Sequence, residues 1–268
     1  MPTIRVAIAG LGAVGRTLAS RLAEGIPGLE LVCAAAGNRE KAEAFLGLRG
    51  ITCPVVDLAD FPDLADLAVE CAPPARLEQV CRPMLEAGRK VMVLSAGGLL
   101  LRPDLIELAR GLGGQIIVPT GALLGLDAVT AAAEGSILSV KMTTRKPPMA
   151  LVGAPYFEDK PIDLMTLREP LRVFTGTARE AAAGFPSNLN VVAALALAGI
   201  GPDRTIIDIW ADPTVTRNCH SIDVDADAAR MRMTIENVPS ENPRTGRITA
   251  LSVLAALRKV ASPLRIGT

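Results

Sequence analysis

The stretch "IRVAIAGLGAVGRTLASRLAEG", residues 4–25, decides the fold. A short run rich in Val, Ile and Ala leads into a turn of small residues, and the turn leads into a helical pattern. Within the turn, Gly10, Gly12 and Gly15 stand in the G-x-G-x-x-G spacing. Gly10 permits the tight turn, Gly12 lets backbone approach a pyrophosphate, and Gly15 lets strand and helix pack closely. The helix N-terminus, with Ala13 and Val14 in its first turn, then faces negative charge. The hexapeptide alone is also compatible with an ordinary small-residue turn. Its context argues otherwise, because it opens a series of strand-turn-helix units.

That unit recurs to about residue 120. The apolar runs are "IRVAIAG" (4–10), "LELVCAAAG" (29–37), "DLAVECAP" (66–73), "KVMVLSAGG" (90–98) and "GQIIVPTGA" (114–122). Helix-like segments such as "REKAEAFLG", "ARLEQVCRPMLEAG" and "PDLIELARGLG" separate them. Strands alternating with helices of this length predict right-handed crossovers and an α/β fold with a doubly wound parallel, Rossmann-type sheet. After "LDAVTAAAEG" (126–135) the pattern changes to strands that alternate apolar with polar residues: "ILSVKMTTRKP", "LRVFTGTA", "RTIIDIWADP", "NCHSIDVDA" and "ARMRMTIEN". These predict a second, smaller, mainly antiparallel α+β domain whose sheet has one face covered and one wet. The expected division is a dinucleotide-binding domain over residues 1–122 and a substrate and oligomerisation domain over 123–242. A C-terminal helix within 243–268 is expected to pack back on the first domain.

Composition narrows the function classes. Hydrophobic residues make up 50% of the 268 and aromatics only 3%, so the core is aliphatic, as in parallel sheets clad by helices. The 28 Lys and Arg balance the 28 Asp and Glu, with no basic block, so no nucleic-acid partner is expected. Five cysteines form no C-x-x-C pair, which indicates neither a zinc ribbon nor a disulfide framework. No metal is expected. The first residues carry no signal-peptide pattern and no run suits a bilayer, so a cytoplasmic protein without a membrane partner is expected.

Several polar positions are candidates for chemistry. The second strand run ends in Gly37, Asn38 and Arg39, where NAD-binding domains place the Asp or Glu that accepts the ribose hydroxyls. Asn38 can hydrogen-bond ribose without repelling a 2′-phosphate, and Arg39 can pair with that phosphate; the alternative for Arg39 is a solvated residue in the first turn of a helix. NAD or NADP is therefore the expected cofactor. Ser95, Ala96 and Gly97, after the fourth strand run, leave room for a nicotinamide ring, or else form an ordinary strand-to-helix turn. His220, in "RNCHSI" (217–222), is the only histidine of the chain. Imidazole is the usual proton carrier near neutral pH. The competing explanation is a polar residue at a strand end.

The combination "GLGAVG", "SAGGL", "PTGALLGLDA", "TTRKPP", "FPSNLNVVAALALAGIGPDRT", "NCHSI" and "ENPRTGRITALSV" resembles the L-aspartate dehydrogenase family over nearly the whole chain. Its most specific parts lie in the second half. The resemblance implies NAD(P)-dependent oxidation of L-aspartate to iminoaspartate, which yields oxaloacetate and ammonia or feeds pyridine nucleotide biosynthesis. It also implies a catalytic role for His220, cofactor contacts from Asn190 and from Ala122 or Gly125, and a homodimer. By position and chemistry, Arg145, Lys146, Ser187 and Asn188 are candidates to hold the substrate carboxylates, with a solvated strand-end pair as the alternative for Arg145 and Lys146. The competing functions are a related two-domain amino-acid dehydrogenase or reductase and a non-catalytic NAD(P) sensor.

Overall fold

The computed structural model describes residues 2–160, 162–185, 189–239 and 246–268. Ser187 and Asn188 lie outside the described residues. The chain divides into two compact units, Met1–Pro119 with Ala250–Ile266, and Thr120–Thr249 with Gly267–Thr268.

The first unit follows the order β1 (Ile4–Ala9), α1 (Ala13–Ala23), β2 (Leu29–Ala35), α2 (Arg39–Leu48), α3 (Phe61–Leu64), β3 (Leu67–Glu70), α4 (Leu77–Glu86), β4 (Lys90–Val93), α5 (Ala96–Leu100), α6 (Pro103–Leu112) and β5 (Gln115–Ile117). The strands form a parallel sheet in the order β2-β1-β3-β4-β5. Alternation sends Val6 and Ile8 to one face and Ala7 and Ala9 to the other, and all four are fully buried. Each face has its own core. Val6 and Ile8 pack with Leu18 and Leu22 of α1, while Ala7 and Ala9 pack with Val80, Met84 and Leu85 of α4. A strand buried on both faces explains why these runs are nearly continuous in apolar residues. Strand order reverses at β1, so the carboxyl ends of β1 and β3 flank the switch point where such sheets bind ligands. The last helix, α10 (Ile248–Ala261), contributes Val253, Leu254 and Leu257 to the α1-side core.

The second unit contains α7 (Leu126–Ala133), β6 (Ile137–Lys146), β7 (Leu171–Thr177), α8 (Ala178–Gly184), α9 (Asn190–Ala198), β8 (Thr205–Ala211), β9 (Asn218–Ala226) and β10 (Arg230–Asn237). All five runs expected as strands are strands, in the order β10-β9-β6-β8-β7. One pairing departs from expectation: β6 and β8 run parallel, so the sheet is mixed. Two helices, α8 and α9, intervene between β7 and β8, and β7 pairs antiparallel on the outer side of β8. Val140, Met142, Ile207, Ile209, Ile222 and Val224 form the buried face of the sheet. The other face carries ion pairs, Lys141 to Asp208 at 2.8 Å and Arg232 to Asp223 at 3.0 Å. Four of the few aromatic residues, Tyr156, Phe157, Phe174 and Phe185, form one cluster, with Tyr156 stacked on Phe185 at 4.8 Å between centroids. Among the described residues, no helix is long and apolar enough to cross a membrane.

Candidate active site

In the first unit, the glycine-rich turn is shaped by contact and by space. Gly10 has φ +103°, and a Cβ there would lie 2.6 Å from the Cys71 carbonyl oxygen. A Cβ on Gly15 would overlap the Gly10 carbonyl, so the first turn of α1 can lie on the end of β1 only with glycine at this position. Gly12 differs. It is exposed at the N-cap of α1, and a Cβ there would meet nothing within 4 Å. Nothing in the protein's own packing requires Gly12 to be glycine. The open cradle in front of it, with Ala13 and Val14 opening the helix, fits a pyrophosphate approaching backbone N–H groups. The residues present therefore suit a dinucleotide.

At the end of β2, the Asn38 side chain accepts a hydrogen bond from the Lys41 N–H at 2.8 Å and so caps α2. Arg39 is exposed and donates to the Val55 carbonyl at 2.6 Å. That bond tethers its Nη2, and its Nε lies 4.0 Å from the Glu43 carboxylate one turn on, beside a cap that bears no negative charge. Ser95 is buried, with its N–H and hydroxyl both bonded to Glu70. Ala96 and Gly97 begin the short helix α5.

In the second unit, alternation along β9 turns Cys219, Ser221 and Asp223 to the open face and His220, Ile222 and Val224 to the covered one. His220 is paired with Thr144 of β6 across the ladder, and its Nδ1 lies 2.7 Å from the Thr144 hydroxyl. Lys146 is two residues farther along the same face of β6 and is also buried. Burial pushes the Lys146 amine down to about 8. Burial, and then the charge of Lys146, push the His220 imidazole down to about 3. At neutral pH the pair is thus an uncharged imidazole beside a charged amine.

The register brings a further residue to this edge. Ile235 of β10 lies opposite His220, and Asn237, two positions on, is buried on the same face. Its amide donates to the Ala122 carbonyl at 2.9 Å and so ties down the "TGALLG" turn. Gly125 in that turn has φ +68°, and a Cβ there would overlap Met233 of β10. Its glycine is explained by packing, whereas Ala122 is held by the end of β10. Asn190 is the first residue of α9.

Arg145 does not join His220 and Lys146. The alternation that buries Thr144 and Lys146 turns Arg145 to the opposite face, where it bonds Asp212 at 2.9 Å and lies over Trp210 at 4.8 Å. Thr144, Asn237 and Glu70 are not among the candidates that the sequence offers. Thr144 and Asn237 could be found only from strand register. Glu70 left a signal, since a carboxylate inside the apolar run "DLAVECAP" has to be buried and satisfied.

The chain is similar to known proteins along most of its length. Residues 127–260 match the family model described as aspartate dehydrogenase, C-terminal, and residues 10–119 match that of the homoserine dehydrogenase NAD binding domain. The chain is 55% identical to L-aspartate dehydrogenase 3 of Bordetella bronchiseptica, over 98% of this chain and 97% of that one. It is 56% identical to an L-aspartate dehydrogenase of Bradyrhizobium diazoefficiens, over 99% and 94% of the two chains. The crystal structure of aspartate dehydrogenase from Thermotoga maritima shares the fold, with a TM-score of 0.76 at 24% identity and coverage of 98% and 99%. A dinucleotide cradle in the first unit, a buried histidine beside a lysine in the second, and relatives this similar over their whole length lead to one conclusion: the chain belongs to the L-aspartate dehydrogenase family.

Proposed function

We propose that the protein oxidises L-aspartate to iminoaspartate, with His220 as the proton acceptor and Lys146 as a partner of a substrate carboxylate. The observation that carries this reading is the buried His220–Lys146 arrangement on Thr144. Forming the C=N bond requires the substrate nitrogen to give up protons while Cα loses a hydride. When bound, the oxidised nicotinamide accepts that hydride. In the tautomer whose Nδ1–H donates to the Thr144 hydroxyl, the Nε2 lone pair of His220 is left to accept a proton. An imidazole held near 3 is a weak base in the free protein. Burial is the larger cause and persists, but a substrate carboxylate placed against Lys146 offsets the smaller one, the charge of the amine, so the base strengthens in part when substrate arrives. In the first unit, Gly10 to Gly15 with Ala96 and Gly97 contribute the cofactor contacts. Iminoaspartate then hydrolyses to oxaloacetate and ammonia or enters pyridine nucleotide biosynthesis. The test is direct. Purified protein mixed with L-aspartate and NAD or NADP generates reduced-nicotinamide absorbance, and a flat trace with both cofactors overturns the assignment.

Cofactor choice is a separate expectation. Asn38 presents no carboxylate to repel a 2′-phosphate, and Arg39, tethered to Val55, is available to bond one. NADP is then used at least as well as NAD. Charge-assisted hydrogen bonds are worth about 1.5–3 kcal/mol, so Arg39→Ala weakens NADP binding by about tenfold and leaves NAD almost unchanged. Paired kcat/KM values for the two cofactors, wild type against variant, check this. Equal losses for both cofactors would make Arg39 a solvated helix residue.

The oligomeric state follows from the second sheet. Among the described residues, helices cover one face, and the other presents Ile206, Trp210 and rows of paired charges. A homodimer packed through this face, in a cytoplasm that keeps the five cysteines as thiols, is the proposed assembly. Light scattering at micromolar concentration should return twice the chain mass, and the mass of a single chain refutes the dimer.

A further inference from the structure

The carboxyl edge of the first sheet contains an acidic side chain that touches no solvent, and burial raises its pKa against the hydrogen bonds that lower it. Glu70, the last residue of β3, is 0% exposed. Its Oε2 accepts hydrogen bonds from the backbone N–H of Ser95 at 2.8 Å and of Leu94 at 3.1 Å, and its Oε1 from the Ser95 hydroxyl at 3.1 Å. The Ala72 N–H is a further donor to the same carboxylate. One side chain on β3 therefore holds the turn after its own strand and the turn after β4. The first of these reaches the glycine-rich turn. The Cys71–Ala72 peptide is the surface against which Gly10 is pressed, with an added Cβ falling 2.6 Å from the Cys71 oxygen and 2.9 Å from the Ala72 nitrogen. The second opens directly into Ala96 and Gly97.

Burying a carboxylate is costly unless every acceptor site is used, and an apolar residue would fill this strand end more cheaply. What the carboxylate supplies is direction: it accepts from several N–H groups at once and so sets the relative position of two peptide segments. We propose that Glu70 is a positioning residue for the bound dinucleotide, acting through Ala72 on the glycine-rich turn and through Leu94 and Ser95 on the turn that leads into Ala96 and Gly97. The inference rests on the NAD(P)-binding role of this unit and adds a residue that makes no contact with cofactor itself.

The test compares wild type with Glu70→Gln, which keeps the shape of the side chain but points an NH₂ group at backbone donors, and with Ser95→Ala, which removes one of the hydrogen bonds. NADH affinity is read from the change in its fluorescence on binding, alongside the thermal midpoint and the KM values for both substrates. Glu70→Gln should weaken NADH binding by about 10- to 100-fold, the scale of lost hydrogen bonds to a charged group. Ser95→Ala should give a smaller loss in the same direction. In both variants KM for the nicotinamide cofactor should rise while KM for L-aspartate stays within about twofold, a split that general destabilisation would not produce. If folded Glu70→Gln binds NADH as wild type does, or both KM values rise together, Glu70 is only a structural residue and the proposal is overturned. If Glu70→Gln does not fold, unchanged NADH affinity in Ser95→Ala overturns it equally. Failure of wild type to bind NADH would instead remove the cofactor assignment on which the proposal stands.

Discussion

Replacing His220 by alanine is expected to lower turnover with L-aspartate by about 10²–10⁴-fold, the usual size of a general acid-base contribution. NADH affinity should hold, because the glycine-rich turn proposed to take the pyrophosphate belongs to the first unit. Turnover close to wild type in a folded variant would remove His220 from the mechanism. Its burial supplies an independent check. The folded state keeps the imidazole neutral down to about pH 3, whereas the unfolded chain binds that proton near the ordinary value of 6.5. Between those values the unfolded state holds more protons, so wild type loses stability as pH falls through this window. The His220→Ala variant lacks the group and should show a flatter acid limb in denaturant melts between pH 6.5 and 3.

Lys146→Met is expected to raise KM for L-aspartate by about 10- to 100-fold at pH 7, the scale of hydrogen bonds between a charged donor and a carboxylate. The pH dependence gives a sharper result. The buried amine titrates at about 8, so it is charged below that value and neutral above it. Succinate, a dicarboxylate with no amine of its own, isolates this group. Its inhibition constant should be flat below pH 8 and then rise toward about tenfold per pH unit. Lys146→Arg, charged throughout, should abolish the alkaline rise. Lys146→Met should abolish it as well, at a uniformly weaker affinity. The methionine variant also removes the positive charge that lowers the His220 imidazole, so His220 should titrate higher by NMR. A wild-type inhibition constant that stays flat to pH 10 would mean that Lys146 does not meet the carboxylate.

Much of this protein could be read along the chain because its physics is local there. The five apolar runs of the first half are strands, and the inner ones, β1, β3 and β4, are nearly continuous in apolar residues because both their faces are buried. Gly10 and Gly15 stand where backbone passes too close for a side chain. The lone histidine drew attention by its rarity, and alternation along β9 could already place it on one face with Ile222 and Val224. The polar stretch "TTRKPP" was visible too, but not which of its residues mattered. Thr144, Arg145 and Lys146 are chemically plausible as a group. Period-two alternation divides them, and only knowing which face the helices cover shows that Thr144 and Lys146 go in and Arg145 goes out.

By itself, the sequence determined the class of each half, the glycine turn and the family, since these depend on residue type at short spacing. Tertiary structure decided which distant residues meet. Thr144 reaches His220 across 76 positions because β6 and β9 pair in a register that sequence does not state. Asn237 finds the Ala122 carbonyl 115 positions away because β10 ends beside that turn. The parallel pairing of β6 with β8 could not be read from alternation, because period two describes a strand's faces and says nothing of its neighbour's direction. Glu70 shows the same division: its sequence marks an acid in an apolar strand, but besides the nearby Ala72 N–H the groups that make it tolerable come from a different strand end, 24 and 25 residues away. Hydrogen bonds and charge depend on distances of a few ångströms, and those distances exist only once the chain has folded.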